Sequence, residues 1–446
     1  MRDFTEGSIT KPLVSFAAPM IIGNLFQQLY SIVDAIVVGR FVGGGALAAV
    51  GISISVVGFL TSTLIGFTTG AAVVISQFYG AKKLDRLKST VSVSVLFMLA
   101  LSVVLTILGF VFAPHLLRLL GTDPEIFDDA LIYLRIMMCG IVFTMFYNMY
   151  GAYLRALGDS RRPLYILIFT VTLSGILTFY LVVYQGMGVV GAAASTVFAQ
   201  FIAALLGFLY TRRFVPLLNI KKLFFDSELF ALILKYGTPA ALQMSMVMLA
   251  HLFITRLINT FGSAAMAGIT AVARIDQLAI MPIATLSMAM STFVAQNMGA
   301  GLENRARKCF RISIVYTLVM AVSISALLMA FAPELVSLFI NQADESAPEI
   351  LRIGTSYLNI MVIFYFLFAI LFSFNGFFRG VGDAKIAMVF PAMSLTIRTV
   401  AAHILVGVFD MGPEALAWSI PMGWSICSLA SWIYYKKRLW VGKVAK

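Results

Sequence analysis

The chain has 446 residues, 61% hydrophobic and 12% charged, with mean hydropathy +0.96 and formal net charge +12. Soluble globular chains are about 45–50% apolar and about 25% charged, so this composition excludes that class and points to a polytopic membrane protein. The positive surplus does not read as a nucleic-acid surface, because Lys and Arg cluster in short runs between apolar segments, at 82–88, 155–162, 212–222, 305–311 and 436–446.

Apolar runs of at least about 18–20 residues mark membrane spans. Twelve such runs follow in order, at 13–38, 46–78, 90–113, 130–152, 163–184, 189–211, 229–259, 265–297, 310–332, 350–375, 387–409 and 415–435. The second, seventh and eighth exceed what a bilayer needs, so they tilt or protrude. Basic loops at alternate junctions put both termini in the cytoplasm of a multi-pass cell-membrane protein. The mid-chain segment 212–228 is basic and amphipathic and is expected to lie along the inner surface, joining lobes at 1–211 and 229–446. Cys139, Cys309 and Cys427 form neither disulfide nor metal spacing. The first span lacks a small-residue cleavage site and is expected to stay attached.

The stretch from Pro19 to Gly39 is apolar enough to span, yet it carries Asn24, Gln27, Gln28, Tyr30 and one carboxylate, Asp34. An acid within a membrane helix costs about 2.5–3.5 kcal/mol on insertion scales, which makes it a functional-site hypothesis. The alternative is a purely structural hydrogen bond to a neighbouring helix. Pro19 removes a backbone hydrogen bond and permits a hinge in the same helix.

The two halves of the chain are related. Gln77-Phe-Tyr-Gly-Ala81 corresponds to Gln296-Asn-Met-Gly-Ala300, and Ala113-Pro-His-Leu-Leu117 to Ala332-Pro-Glu-Leu-Val336. Tyr133-Leu-Arg-Ile-Met137 matches Tyr357-Leu-Asn-Ile-Met361, Arg155-Ala-Leu-Gly-Asp159 matches Arg379-Gly-Val-Gly-Asp383, and Pro19 matches Pro239. The order is kept throughout, which chance matches would not do. An even number of spans per repeat gives both lobes one orientation, so a pseudo-two-fold axis along the membrane normal is expected, with a substrate site between the lobes.

With these motifs in hand, the chain resembles the multidrug and toxic compound extrusion (MATE) family over essentially its whole length. The features that carry the resemblance are Pro19 fifteen residues before Asp34, Gly43–Ala49, the Gln-x-x-Gly-Ala ends of spans two and eight, and the repeated Arg-x-x-Gly-Asp. The resemblance implies a secondary antiporter that exports cationic or amphipathic aromatic compounds in exchange for protons or sodium. It matches Asp34, Asn148 and Thr196 to a cation-coupling site in the first lobe. In span five, where the family often has an asparagine and then an aspartate four residues later, this chain has Ser174 and Thr178. Val247 stands where a sodium-type glutamate would be, and the tenth span has no acid. One carboxylate among hydroxyls and an amide holds sodium weakly, and a partly apolar pocket favours the neutral carboxyl. A proton is therefore the expected coupling ion, ahead of sodium.

Gln27, Tyr30, Tyr147, Arg274, Asp276, Arg398 and Phe374 are expected to line the substrate cavity, with Tyr150, Tyr365 and Met244 as further adaptable wall residues. Arg274 and Asp276, two residues apart on a helix, point to different faces. Asp276 either locks the second lobe through Arg398 or contacts a cation, while Arg398 alternatively meets an anionic part of the substrate. His251 and His403 are either proton relays or simply hydrogen-bonded, and Arg256 snorkels near a span end. The Arg-x-x-Gly-Asp loops read as turns whose aspartates cap the next helix. No catalytic triad, metal-ligand spacing or Walker A pattern is present, so no catalytic residue, metal or cofactor is expected beyond a coupling H+ or Na+. Small organic substrates and the lipid bilayer are the expected partners, without nucleic acid, and the chain is expected to be a monomer. The alternative function is a flippase for a lipid-linked sugar or other amphiphile.

Overall fold

A computed structural model describes residues 2–219, 223–340 and 345–445, apart from the side chains of residues 248, 249, 251 and 252. The described regular structure is helical, as a bilayer demands of a chain that must satisfy its own backbone polar groups. The first half runs α1 (Thr10–Phe41), α2 (Gly44–Gly80), α3 (Leu84–Leu119), α4 (Pro124–Ala156), α5 (Arg161–Phe179), extended by a π turn over Tyr180–Tyr184, and α6 (Gly188–Phe214). The second runs α7 (Ser227–Ile258), α8 (Gly262–Gly299), α9 (Glu303–Ala330), the short α10 (Ala332–Ser337), α11 (Ala347–Ile363), α12 (Tyr365–Val381), α13 (Ala384–Gly407) and α14 (Glu414–Lys436).

Every expected span is helical. The tenth is broken at Phe364, where α11 and α12 meet at a 50° bend. Among the described residues, nine helices are long and apolar enough to cross a membrane, or ten with the bent pair as one span. The twelfth expected span, α14, falls short of that measure because serines and tryptophans dilute its apolar residues. In the bilayer the exposed apolar side chains, such as Ile107, Ile176, Val319 and Val322, are the lipid-facing surface.

The chain divides into two compact units, residues 1–4 with 15–241 and residues 5–14 with 242–446, so the division falls within α7. In the first unit α4 is the central element, packed along α2, α3 and α6. Its start is fixed by Asp123, whose carboxylate accepts the Glu125 amide at 2.9 Å, and by Pro124, whose missing N–H is harmless there. Gly66 and Gly70 of α2 lie against the α7 backbone at Ala240–Ala241 and Tyr236–Gly237, where a Cβ would collide. That is small-residue packing of the membrane kind. In the second unit α8 packs along α9, α11 and α12 around a core that includes Val272, Ile283, Leu358 and Ala369.

The two Arg-x-x-Gly-Asp turns share a backbone and differ in chemistry. Gly158 (φ +81°) and Gly382 (φ +95°) both take the left-handed conformation that favours glycine. Asp159 caps α5, accepting the amides of Arg161 at 3.1 Å and Arg162 at 3.2 Å. Asp383 makes no such cap and instead accepts the Tyr434 hydroxyl at 2.6 Å. The expectation of a cap therefore holds only for the first repeat; in the second, a phenol from α14 takes the carboxylate. Cys309 and Cys427 are buried, Cys139 is exposed, and all three are free.

Candidate functional site

Four helices of the first unit each present polar side chains spaced four residues apart, which places them on one face. These are Tyr30 and Asp34 on α1, Thr144 and Asn148 on α4, Thr170, Ser174 and Thr178 on α5, and Thr196 and Gln200 on α6. The stripes converge on a cavity of about 170 Å³. Its walls include Gln27, Tyr30, Tyr147, Asn148, Ser174 and Thr196.

Tyr30 is the hub. Its hydroxyl lies 2.6 Å from Ser174 Oγ and donates to Asp34 Oδ1 at 3.4 Å, a long bond at the edge of hydrogen-bond geometry. Asp34 sits one turn beyond Tyr30, half-buried, and the Thr178 hydroxyl also reaches it. Thr178 in turn shares a 2.6 Å hydrogen bond with Ser195. Asn148 donates to the Thr144 carbonyl at 2.8 Å, and Thr144 donates to the Gln200 side chain. Thr196 stands beside Tyr30 and donates to the Ala192 carbonyl at 3.0 Å. Among the described residues Asp34 has no ion-pair partner. The arrangement is one carboxylate held by hydroxyls, next to an amide-lined cavity, and it can take and release a single positive charge.

All five expected cation-coupling residues, Asp34, Asn148, Ser174, Thr178 and Thr196, meet in this one region of α1, α4, α5 and α6. Asp34 and Thr178 adjoin the cavity without forming its wall. Sequence reasoning missed Thr144, Gln200 and Ser195, and also Tyr133, which lies near Asp34. The spacing held the signal for two of them, since Thr144 precedes Asn148 and Gln200 follows Thr196 by four residues.

Arg274, Asp276, Arg398 and Phe374, also expected to line a substrate cavity, lie in the second unit, and among them the burial of Phe374 is a correction. Phe374 is only 3% exposed and packs against Phe310 at 5.1 Å, Tyr435 at 5.8 Å and Phe378 at 5.9 Å. Its α12 face is turned into an aromatic core, so it lines no described cavity. Arg274 is exposed on α8, while Asp276, two residues on, is half-buried and accepts the Tyr365 hydroxyl at 2.7 Å. No ion pair joins Asp276 to Arg398 among the described residues. Arg398 of α13 lies beside Tyr357 with its Nε buried and without a partner. The expected lock through a carboxylate–guanidinium bridge is replaced by two phenols, one on each charged group. Tyr365 is committed to Asp276, Tyr150 lines a different crevice, and Met244 is exposed on α7. His403 is exposed with Nδ1 2.8 Å from the Thr399 carbonyl, the locally bonded alternative, whereas the His251 side chain lies outside the described residues.

Comparisons with known proteins agree with this architecture. The MatE family model matches residues 19–181 and 239–404, one stretch in each repeat. A probable multidrug resistance protein, YpnP of Bacillus subtilis (strain 168), is 30% identical over 98% of this chain and 97% of its own length. A probable multidrug resistance protein, NorM of Thermotoga maritima, is 26% identical over 91% of this chain and 87% of its own. A crystal structure of MATE in complex with MaL6 superposes with TM-score 0.91 at 25% identity, covering 98% of both chains. With the match running through both repeats and over nearly all the helices just described, the chain belongs to the MatE family and is a membrane transporter, not an enzyme.

Proposed function

We propose that this transporter exports amphipathic, often cationic, organic compounds across the cell membrane by alternating access, and that a proton at Asp34 is the coupling ion. The observation that carries the reading is a single carboxylate, without an ion-pair partner among the described residues, held by Tyr30 and Thr178 beside a cavity walled by hydroxyls and amides. The export function is supported by relatives named multidrug resistance or multidrug export proteins, among them MepA of Staphylococcus haemolyticus at 24% identity over 99% of this chain.

The coupling follows from the hydrogen bonds. Ionised Asp34 is an acceptor only and draws the hydroxyls of Tyr30 and Thr178. Protonated Asp34 becomes a donor and frees the Tyr30 hydroxyl for Ser174, 2.6 Å away. The change rotates donors on α1 and α5 together. Pro19 lies fifteen residues earlier on α1, about 22 Å along the axis, and leaves a weakened turn where the helix can bend in response. Sodium is the less favoured ion because Ser174 and Thr178 supply hydroxyls in place of a second carboxylate. Both termini and the basic ends of the helices face the cytoplasm by the positive-inside rule.

The test is dye efflux from proteoliposomes under an imposed pH gradient without sodium, wild type beside Asp34→Asn. Transport by the wild type and none by the variant is expected. Equal transport by both removes Asp34 from the coupling step. Transport only after sodium is added removes the proton. If no dye moves and a lipid-linked sugar analogue crosses instead, the chain is a flippase.

A further inference from the structure

A crevice of about 840 Å³, larger than the candidate site, lies on the other side of α4 and α6. Helices α3 and α6 both pack along α4, and the crevice opens between them. Its depth is set by the residues that line it. Phe143 to Tyr153 on α4 and Phe201 to Arg212 on α6 are eleven and twelve residues, so each wall is about 15–17 Å long at helical rise. That is the hydrocarbon thickness of one leaflet, half of a core about 30 Å across.

The chemistry of the walls is graded along that depth. The deep end is Leu99, Phe143 and Phe201, and the middle holds Tyr150 and Phe208 with rings 6.4 Å apart. At the shallow end stand Arg212 and Asn219, whose side-chain amide donates to the Arg212 carbonyl at 3.3 Å. Phe224, just past the crevice, is pinned to α3 by its amide and carbonyl, both bonded to Ser92. No carboxylate is among the lining residues, and Arg212 is exposed with no ion pair among the described residues. The next acids along the chain are engaged, Asp226 as the cap of α7 and Glu228 in a 3.0 Å pair with Arg86.

We propose that this crevice is a binding site for a phospholipid with an anionic headgroup, its acyl chain lying along the aromatic wall and its headgroup on Arg212. A crevice walled by membrane helices and open to hydrocarbon is filled by chains rather than water. A basic end at headgroup depth selects negative charge. The polarity is opposite to that of the Asp34 region, so a cationic compound finds no counter-charge here. The lipid belongs to the leaflet on the side of the basic helix ends.

Native mass spectrometry of the detergent-purified full chain tests this, with phosphatidylglycerol and phosphatidylcholine of equal chain length as the added probes. Wild type is expected to retain phosphatidylglycerol about fivefold better, the weight of one arginine at an anionic surface. Arg212→Gln, at an exposed position, should bring phosphatidylglycerol down to the phosphatidylcholine level. Leu205→Trp, which fills the crevice, should reduce both lipids. Equal retention of the two lipids by wild type overturns the proposal, as does undiminished phosphatidylglycerol on Arg212→Gln. A phosphatidylglycerol adduct that survives Leu205→Trp places the lipid elsewhere. A cationic dye retained in place of lipid, and lost in Leu205→Trp, assigns the crevice to substrate.

Discussion

Replacing Thr178 by Asp should convert the site towards sodium. Thr178 reaches Asp34 and shares a 2.6 Å bond with Ser195, so an aspartate there puts a second carboxylate beside the first. Two carboxylates about 5 Å apart repel by about 3 kcal/mol at an effective dielectric of about 20. A bound cation relieves that repulsion and gains from both charges. The ceiling on the gain in sodium affinity is the same energy, about two orders of magnitude. Ser195, Tyr30 and Ser174 remain to supply neutral oxygen ligands. The assay is dye efflux from proteoliposomes at constant pH on both sides, with sodium raised on one side only. Wild type should be indifferent to sodium, and Thr178→Asp should show transport that rises and saturates with it. A variant that inserts and melts normally, yet shows no response to sodium, would refute the claim that the missing second carboxylate is what disfavours sodium here.

Phe374→Ala should remove about 3–5 kcal/mol of stability, as expected of a core aromatic, and be seen as a large drop in melting temperature; a normally stable variant with altered substrate range would return Phe374 to the cavity. Gly70→Val should cost about 1–3 kcal/mol by forcing α2 from the α7 backbone, whereas Gly58→Ala, with nothing within 4 Å of the added carbon, should be neutral or stabilising in the same melting assay.

Much of this molecule was legible because membrane physics writes it in long runs. Twelve apolar segments became helices at their expected positions, and the repeat motifs recur at equivalent turns. The Asp34 region was legible for a related reason, since polar residues inside a span are costly and few. What the sequence hid were partners chosen by tertiary packing. Phe374 has the same composition-level credentials as Tyr147, but the rotation of α12 turns it onto Phe310 and Tyr435. Opposite charge suggested that Asp276 and Arg398 meet. Tyr365 and Tyr357 intervene, and nothing in the spacing of α11, α12 and α13 announces which phenol takes which charge.

The two repeats therefore share a scaffold and not a chemistry. Ser174 and Arg398 occupy equivalent repeat positions, as do Tyr133 and Tyr357. In the first unit the pair accompanies Asp34 on α1, with Ser174 bonded to Tyr30 and Tyr133 near the carboxylate. In the second, Arg398 and Tyr357 lie together, and the acid comes from Asp276 on α8, whose counterpart helix in the first repeat, α2, has no acid. An arginine near Asp276 supplies a permanent counter-charge that Asp34 lacks. Asp34 is held by the hydroxyls of Tyr30 and Thr178, whereas Asp276 is held by the single phenol of Tyr365, with the Arg398 guanidinium near it but not paired to it. The proposed proton site therefore lies in the first repeat, and the acid of the second is tied to its own lobe through the Tyr365 hydroxyl. Removing Asp34 should abolish coupling, whereas Asp276→Asn should chiefly weaken the Tyr365 hydrogen bond and lower the stability of its own unit. Melting and coupled-efflux measurements on the two variants separate these outcomes, and loss of coupling without loss of stability in Asp276→Asn would reverse the assignment.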